Sequence, residues 1–528
     1  MNVRAWRALT YGVPLAFFGL FFLYPLIAIV ERGLTGAGDS PLDVLRDPLT
    51  REVVWFTVWQ ATASTLLTLA VALPAAYVLG RYRFRGRSVV SALTVVPFVL
   101  PTVVVALAFL AVLPDRVERG WAPILAAHAF FNVAVVVRIV GTYWASLDPR
   151  LTEAAAMLGA RPATRFREVT LPLLAPALGA ASAIVFLFSF TSFGVVLILG
   201  GPGYSTIETE IYNQSVRLFD LRAAAVLSLL QLACVLVAVW VATHLESRLV
   251  FLAPLRPEID TLRPVRAWRD RLVLGSGLGV LAIFLGIPLA VLVERSLVVG
   301  GGHGLDAYRA LGNQTSVLLA APWHAIVNSL VYATAATLIA VVVGGLSAYA
   351  VADARGSRIL DALVLLPLGV SAVMLGLGFL IAFDTPPLDF RAAPWIVPVA
   401  QSLVAIPFVV RIVAPALRSI DPRQREAAAL LGASPARVRR EVDLPIVSRA
   451  LGVATGFAFA ISLGEFGATV FLARPDRPTL PVAIFRFLGR PGETNVAQAY
   501  ALAVVLMLVT VASVLLVERL RPRRRGWF

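Results

Sequence analysis

Apolar runs of about 20 residues recur from one end of this 528-residue sequence to the other, and no other feature constrains its fold as tightly. As a helix, such a run matches the hydrocarbon thickness of a bilayer. In the first half the runs cover roughly 10–31, 54–80, 88–113, 122–144, 173–200 and 222–245. In the second half they cover roughly 272–294, 324–352, 358–383, 393–414, 446–473 and 497–518. The expected fold is an all-α polytopic membrane protein of about twelve spans, six per half. Composition agrees, with 59% hydrophobic and only 15% charged residues. The 34 prolines and 38 glycines fit too, because membrane helices tolerate both. Arg4 and Arg7 precede the first run, which lacks a small-residue cleavage site and is long enough to span, so it reads as an uncleaved helix.

A formal net charge of +15 would suit nucleic acid, but the arginines sit in short loops between apolar runs and no soluble basic domain exists. No nucleic-acid partner is expected. The loop arginines instead set orientation. Arg81, Arg83, Arg85 and Arg87 follow the second run, and Arg150, Arg161, Arg165 and Arg167 follow the fourth. Arg248, Arg256, Arg263, Arg266, Arg269 and Arg271 lie between the halves, and Arg519, Arg521, Arg523, Arg524 and Arg525 end the chain. All fall on one side, which is expected to be the cytoplasm, together with both termini. The opposite loops, around Asp39 to Glu52, Asp115 to Arg119 and Gly200 to Leu221, mix both signs.

Catalytic chemistry finds little support. The single Cys234 lies in an apolar run, and His128, His244, His303 and His324 show no metal-ligand spacing. All 46 basic residues are arginine, so neither a lysine-bearing phosphate loop nor a Schiff base is available. The chain is read as a non-enzyme without metal or cofactor.

The two halves repeat. Ser146 to Ala160 recurs as Ser419 to Ala433 at an offset of 273, which holds from Arg138 and Arg411 through Phe193-Gly194 and Phe466-Gly467. Six spans per half place both copies the same way up, about an axis normal to the membrane. The expected units are 1–245, a linker at 246–271 rich in Arg and Pro, and 272–528.

The best-matched segment is a loop at 146–172 and again at 419–445. It reads Glu153-Ala154-Ala155, then Gly159, Leu171 and Pro172 in the first copy. The second reads Glu426-Ala427-Ala428, Gly432, Leu444 and Pro445 with identical spacing. Asp148 and Asp421 precede prolines at a helix start, the alanines leave a face open to close approach, and the glycines allow a turn.

This pattern resembles the EAA loop of binding-protein-dependent ABC importer permeases, in both copies and without departure in spacing. The resemblance implies a coupling helix in each half, seated in a groove of an ABC ATPase. It also implies two ATPase copies that bind ATP and Mg, an extracytoplasmic substrate-binding protein, and one copy of this chain per complex in the cytoplasmic (inner) membrane. Fusion of two six-span halves is familiar in the iron(III) and thiamine permeases. The stretch from Ser192 through Gly200-Gly201-Pro202-Gly203, Thr206-Ile207-Glu208 and Ile211-Tyr212 looks most like the thiamine permeases. Thiamine or a thiamine phosphate is therefore the expected cargo, ahead of iron(III) and of sulfate or molybdate.

Ser192-Phe193-Gly194 and its counterpart Glu465-Phe466-Gly467 are the candidate pathway or gate residues. A carboxylate within a span must meet a pathway or a partner. Glu465 is thus either a contact for a cation or a residue satisfied by nearby backbone or arginine. Arg138 and Arg411 are read as snorkelling arginines, His128 as a bundle residue, and Trp55, Trp59, Trp121, Trp144, Trp323 and Trp395 as an interfacial belt. A secondary transporter would not need two equivalent loops, and a membrane enzyme would need a cluster of reactive groups that is not visible.

Overall fold

The computed structural model describes residues 3–36, 40–113, 119–248, 261–352, 358–391 and 393–520. Asp39, Asp115, the linker residues 249–260 with Arg256, and the arginines at 521, 523, 524 and 525 lie outside the described residues.

The first half runs α1 (Ala8–Thr35), α2 (Pro48–Arg81), α3 (Arg87–Val99), α4 (Thr102–Val112) and α5 (Trp121–Ser146). It continues with α6 (Pro149–Met157), α7 (Leu171–Phe190), α8 (Gly194–Leu199), α9 (Ile207–Tyr212) and α10 (Leu221–Arg248). The second half repeats this order as α11 (Trp268–Ser296), α12 (Trp323–Ala352), α13 (Arg358–Gly369), α14 (Ala372–Ala382) and α15 (Ile396–Arg418). It ends with α16 (Pro422–Leu430), α17 (Leu444–Gly464), α18 (Thr469–Leu472), α19 (Leu480–Leu488) and α20 (Glu493–Leu520). Ten helices among the described residues are long and apolar enough to cross a membrane, or twelve if each bent pair is one span.

The sequence differs from the structure in three places. The third and ninth runs are not straight: α3 meets α4 at 99°, and α13 meets α14 at 101°. Pro101 offers no N–H to continue the first, and the Ser371 hydroxyl accepts from the Met374 N–H (3.1 Å) to start α14 afresh. The fifth and eleventh runs stop early, at Phe190 and Gly464, and resume in the short α8 and α18. Finally, the loop expected around 200–221 folds back inward, and so does the corresponding segment of the second half, 474–496. Their centres, α9 and much of α19, are buried among the spans.

Packing explains why the halves do not separate. Helix α1 lies on α12 and α14 of the other half, while α11 lies on α2, α4 and α20. Phe21 of α1 stacks on Phe379 of α14 (6.4 Å between centroids, 12°), and Phe130 of α5 meets Phe284 of α11 at 6.3 Å. The linker adds a parallel pair, β1 (Tyr82–Arg83) with β2 (Arg263–Pro264), and the Thr261 hydroxyl donates to the Ala145 carbonyl. Trp55, Trp59, Trp121, Trp323 and Trp395 are exposed near helix ends, as a belt requires. Trp144 is not part of it. It is buried against Tyr77 (5.1 Å) and Phe166 (6.4 Å), because its helix turns that face toward α2.

The α1–α14 contact is close enough to depend on one missing side chain. A Cβ on Gly378 would stand 3.0 Å from Pro25 Cβ and 3.2 Å from Ile29 Cδ1. Gly378→Leu is expected to destabilise the fold by about 1–3 kcal/mol, as overpacking does. A drop in the detergent melting temperature, with Gly12→Leu as an unhindered control, checks it.

Candidate functional site

Each half carries the same short helix on its arginine-rich side, built by the same local rules. Asp148 Oδ1 accepts from the Arg150 N–H (3.0 Å), and Asp421 Oδ1 from the Arg423 N–H (2.9 Å). Pro149 and Pro422 follow, fixing the first turn. At the other end Gly159 (φ +82°) and Gly432 (φ +85°) adopt the left-handed conformation. The Ala160 and Ala433 N–H groups reach back to the Ala155 and Ala428 carbonyls, both at 3.0 Å. Those of Gly159 and Gly432 reach Ala156 (3.0 Å) and Ala429 (2.9 Å). This is a Schellman cap, whose left-handed position favours glycine.

The cap turns an apolar pair outward. Met157 and Leu158 are 90% and 89% exposed, and Leu430 and Leu431 are each 89% exposed. No other large apolar pair of neighbours among the described residues is so bare. Sequence reasoning singled out the Glu-Ala-Ala triplets and the glycines but passed over these four. The signal was present, as two consecutive large apolar residues in an otherwise polar loop. Leu171-Pro172 and Leu444-Pro445 begin α7 and α17 immediately beyond, each after a π-helical turn.

Around this shared frame the loops differ. Glu153 pairs with Arg263 of the linker (3.0 Å), both about half exposed, so the bond contributes little stability. Arg81, the last residue of α2, is buried. Glu426 forms no ion pair among the described residues. There, Arg425 binds Asp443 at 2.8 Å, and Arg439 lies 4.3 Å over the Trp6 ring.

A second site lies where the halves meet. The breaks after α7 and α17 place Phe193 against Phe466, stacked at 5.4 Å and 26°. Tyr212 of α9 meets Phe193 at 5.6 Å, Phe485 of α19 meets Phe466 at 5.6 Å, and Tyr212 meets Phe485 at 6.3 Å. The four rings close a circuit, two from each half, at positions related by the 273 offset. Phe193, Phe466 and Tyr212 are buried. Gly194 and Gly467 let groups of the facing helices approach: a Cβ on Gly467 would lie 2.9 Å from Ala372 Cβ, and one on Gly194 3.3 Å from Phe466 Cδ1.

The polar members of the two breaks have different partners. Glu465 is buried, and its carboxylate accepts from the Ala468 N–H (2.7 Å), the Thr469 N–H (3.0 Å) and the Thr469 hydroxyl. Ser192 bonds His128 Nε2 at 2.7 Å, while His128 Nδ1 bonds Ser64 at 3.0 Å. Both ring nitrogens of His128 are thus occupied. A buried residue that sequence reasoning did not single out is Glu208 of α9. It is 1% exposed and accepts from Gln231 Nε2 at 3.2 Å.

Comparison with known proteins covers both sites. A family model described as binding-protein-dependent transport system inner membrane component matches residues 72–251 and again 336–526. Each matched segment contains one capped helix and one of the two breaks that meet at the ring, and neither reaches α1 or α11. A thiamine transport system permease protein of Brucella abortus is 28% identical over 98% of this chain and 96% of its own. A protein of the same description from Escherichia coli is 28% identical over 92% of each chain. A putative 2-aminoethylphosphonate transport system permease protein of Salmonella paratyphi A is 32% identical over 46% of this chain but 91% of its own.

The Schellman glycines yield a direct test. Gly432→Val places a β-branched residue in left-handed space at a cost of about 1–2 kcal/mol. Faster amide exchange in residues 426–433, with the melting temperature nearly unchanged, is the expected result. Gly159→Val should do the same at 153–160.

Proposed function

The chain belongs to the binding-protein-dependent transport system inner membrane components, and on that premise we propose that it is the single permease subunit of an ATP-driven thiamine importer. The observation that carries the coupling part of this reading is the matched pair of capped helices with bare apolar tips. Met157-Leu158 and Leu430-Leu431 stand in water, where exposed apolar surface of this kind marks a docking site. Each pair fits the expected groove of one ATPase subunit. Two copies of that ATPase bind ATP and Mg, and this chain performs no chemistry. One copy of the chain suffices, since both halves are present.

The cargo reading is supported by relatives described as thiamine transport permeases that align with this chain over nearly its whole length. An extracytoplasmic binding protein delivers thiamine to the face opposite the arginine-rich loops. Because α9 and the core of α19 are buried, the docking surface is formed by their flanks, such as the exposed Leu218 and Phe219. Both termini lie on the ATPase side. Closure of the ATPase dimer draws the two loops together and parts the halves on the outer side. Hydrolysis returns them. The ring of Phe193, Tyr212, Phe466 and Phe485 is the gate that each cycle opens.

Reconstitution with the ATPase and the binding protein in proteoliposomes tests this. Uptake of thiamine is expected to require ATP, and uptake driven by an ion gradient without the ATPase would overturn the reading. Leu430→Ser with Leu431→Ser removes docking contacts of about 1.5–3 kcal/mol each. The ATPase should no longer co-purify and uptake should fall about a hundredfold, a change of about 2.7 kcal/mol. The melting temperature should hold, because both side chains are exposed.

A further inference from the structure

From Arg138 and Arg411 onward the two halves are related by an offset of 273, so places where the buried interface breaks that relation are informative. Among the four ring positions only one departs, with Tyr212 opposite Phe485. One turn before them on the same helices the departure is larger: Glu208 stands opposite Pro481. Gln231, which donates to Glu208, stands opposite Val504. A carboxylate and its amide partner therefore exist in one half where the other half is apolar.

Glu208 is held at the boundary between halves. Besides accepting from Gln231 at 3.2 Å, it faces Ser371, which starts α14 of the second half, where α9 packs against α14. Ala372, the next residue, is the neighbour that a Cβ on Gly467 would meet. Glu208 thus lies beside the Phe466-Gly467 break, on the helix that contributes Tyr212 to the ring. Both of these neighbours are neutral, and no arginine forms an ion pair with it among the described residues. A carboxylate so placed costs several kcal/mol while it lacks a counter-charge.

The other two buried glutamates bond to their own helix termini rather than across the halves. Glu465 is taken up by the N–H groups of α18, and Glu210 by the Asn213 and Gln214 amides. One ring of the four already faces a cation: Arg217 stands 5.9 Å from the Tyr212 centroid. A flat cation entering between the rings would exchange ring–ring contacts for cation–π contacts.

We propose that Glu208 supplies the negative charge, and the Phe193–Tyr212–Phe466–Phe485 ring the aromatic faces, that select an aromatic organic cation passing along the axis between the halves. The inference rests on the thiamine reading, since thiamine joins a thiazolium cation to a pyrimidine ring. Selection then occurs twice, once in the binding protein and once in the membrane.

The test is Glu208→Gln in the full complex of permease, ATPase and binding protein, with thiamine as the probe. Glutamine keeps the size of the side chain and its ability to bond Gln231, but removes the charge. The expected result is at least about a tenfold fall in kcat for uptake, with KM for the thiamine-loaded binding protein unchanged. Glu208→Gln combined with Pro481→Glu, which returns the acid on the other side of the axis, should recover part of the rate. Wild-type kcat in Glu208→Gln would overturn the proposal, as would failure of Glu208→Gln to assemble, which would make the carboxylate a structural cross-link. In either case thiamine uptake by the wild-type complex would stand. A wild-type complex that imports no thiamine would remove the underlying reading, and the proposal with it.

Discussion

In a bilayer each backbone N–H and C=O must find its partner inside the protein, and the whole architecture answers to that demand. Continuous helices meet it by themselves, but this chain breaks its helices where the halves meet. There, side chains take over. The Glu465 carboxylate accepts from the first N–H groups of α18, and Thr57 Oγ1 and Ser329 Oγ accept from the Ile207 and Leu480 N–H groups at 3.0 and 2.6 Å. These caps allow α9 and α19 to begin inside the bundle. Once the backbone is satisfied in this way, the axis is left to side chains, and four aromatic rings fill it.

Agreement and disagreement between the halves are distributed in a physically sensible way. The capped helices α6 and α16 agree in N-cap, glycine dihedral and hydrogen-bond pattern to within a few degrees and a tenth of an ångström. Two copies of one ATPase would demand such sameness. The disagreements gather near the axis: Ser192 against Glu465, His128 against Gln401, Glu208 against Pro481. A single asymmetric solute passing between the halves imposes no symmetry on the residues it meets. On the proposed reading, repetition marks what the partner repeats and departure marks what the cargo does not.

The sequence made the number of spans, the two-fold repeat and the two loops legible, because each is written in short-range features: run length, offset and local spacing. Hydropathy measures how long an apolar run is, not whether it bends. The bends at Pro101 and Ser371 were therefore missed, although proline and an N-capping serine stood at the turning points. For the same reason 173–200 and 446–473 read as single spans across the breaks at 190–194 and 464–469. Burial of α9 and α19 was not legible either, since segments with polar flanks and two acids or an arginine look like outer loops. The crossing of α1 and α11 to the opposite half, and the pairing of the linker with Tyr82–Arg83, depend on contacts far apart in sequence. The ring combines both kinds of information. Phe193 and Phe466 were legible from the repeat, but Tyr212 and Phe485 join them only through the inward fold of α9 and α19.

The two candidate sites are joined by a single rigid element in each half. Helix α7 starts at Leu171, just beyond the first capped loop, and ends at Phe190, just before Phe193. Helix α17 does the same between the second loop and Phe466. A 20-residue helix spans about 30 Å, so each is a lever across the hydrocarbon layer. Its two ends are the places where the chain is not helical in the ordinary way, a π turn at 166–170 or 439–443 and the break at the ring. Each runs unbroken from the π turn to the break at the ring, so displacement of one end is carried to the other. Drawing Met157 and Leu430 together would therefore tilt α7 and α17 and pull Phe193 away from Phe466. On the proposed reading this is a physical route from loop to gate that needs no change within the helices themselves.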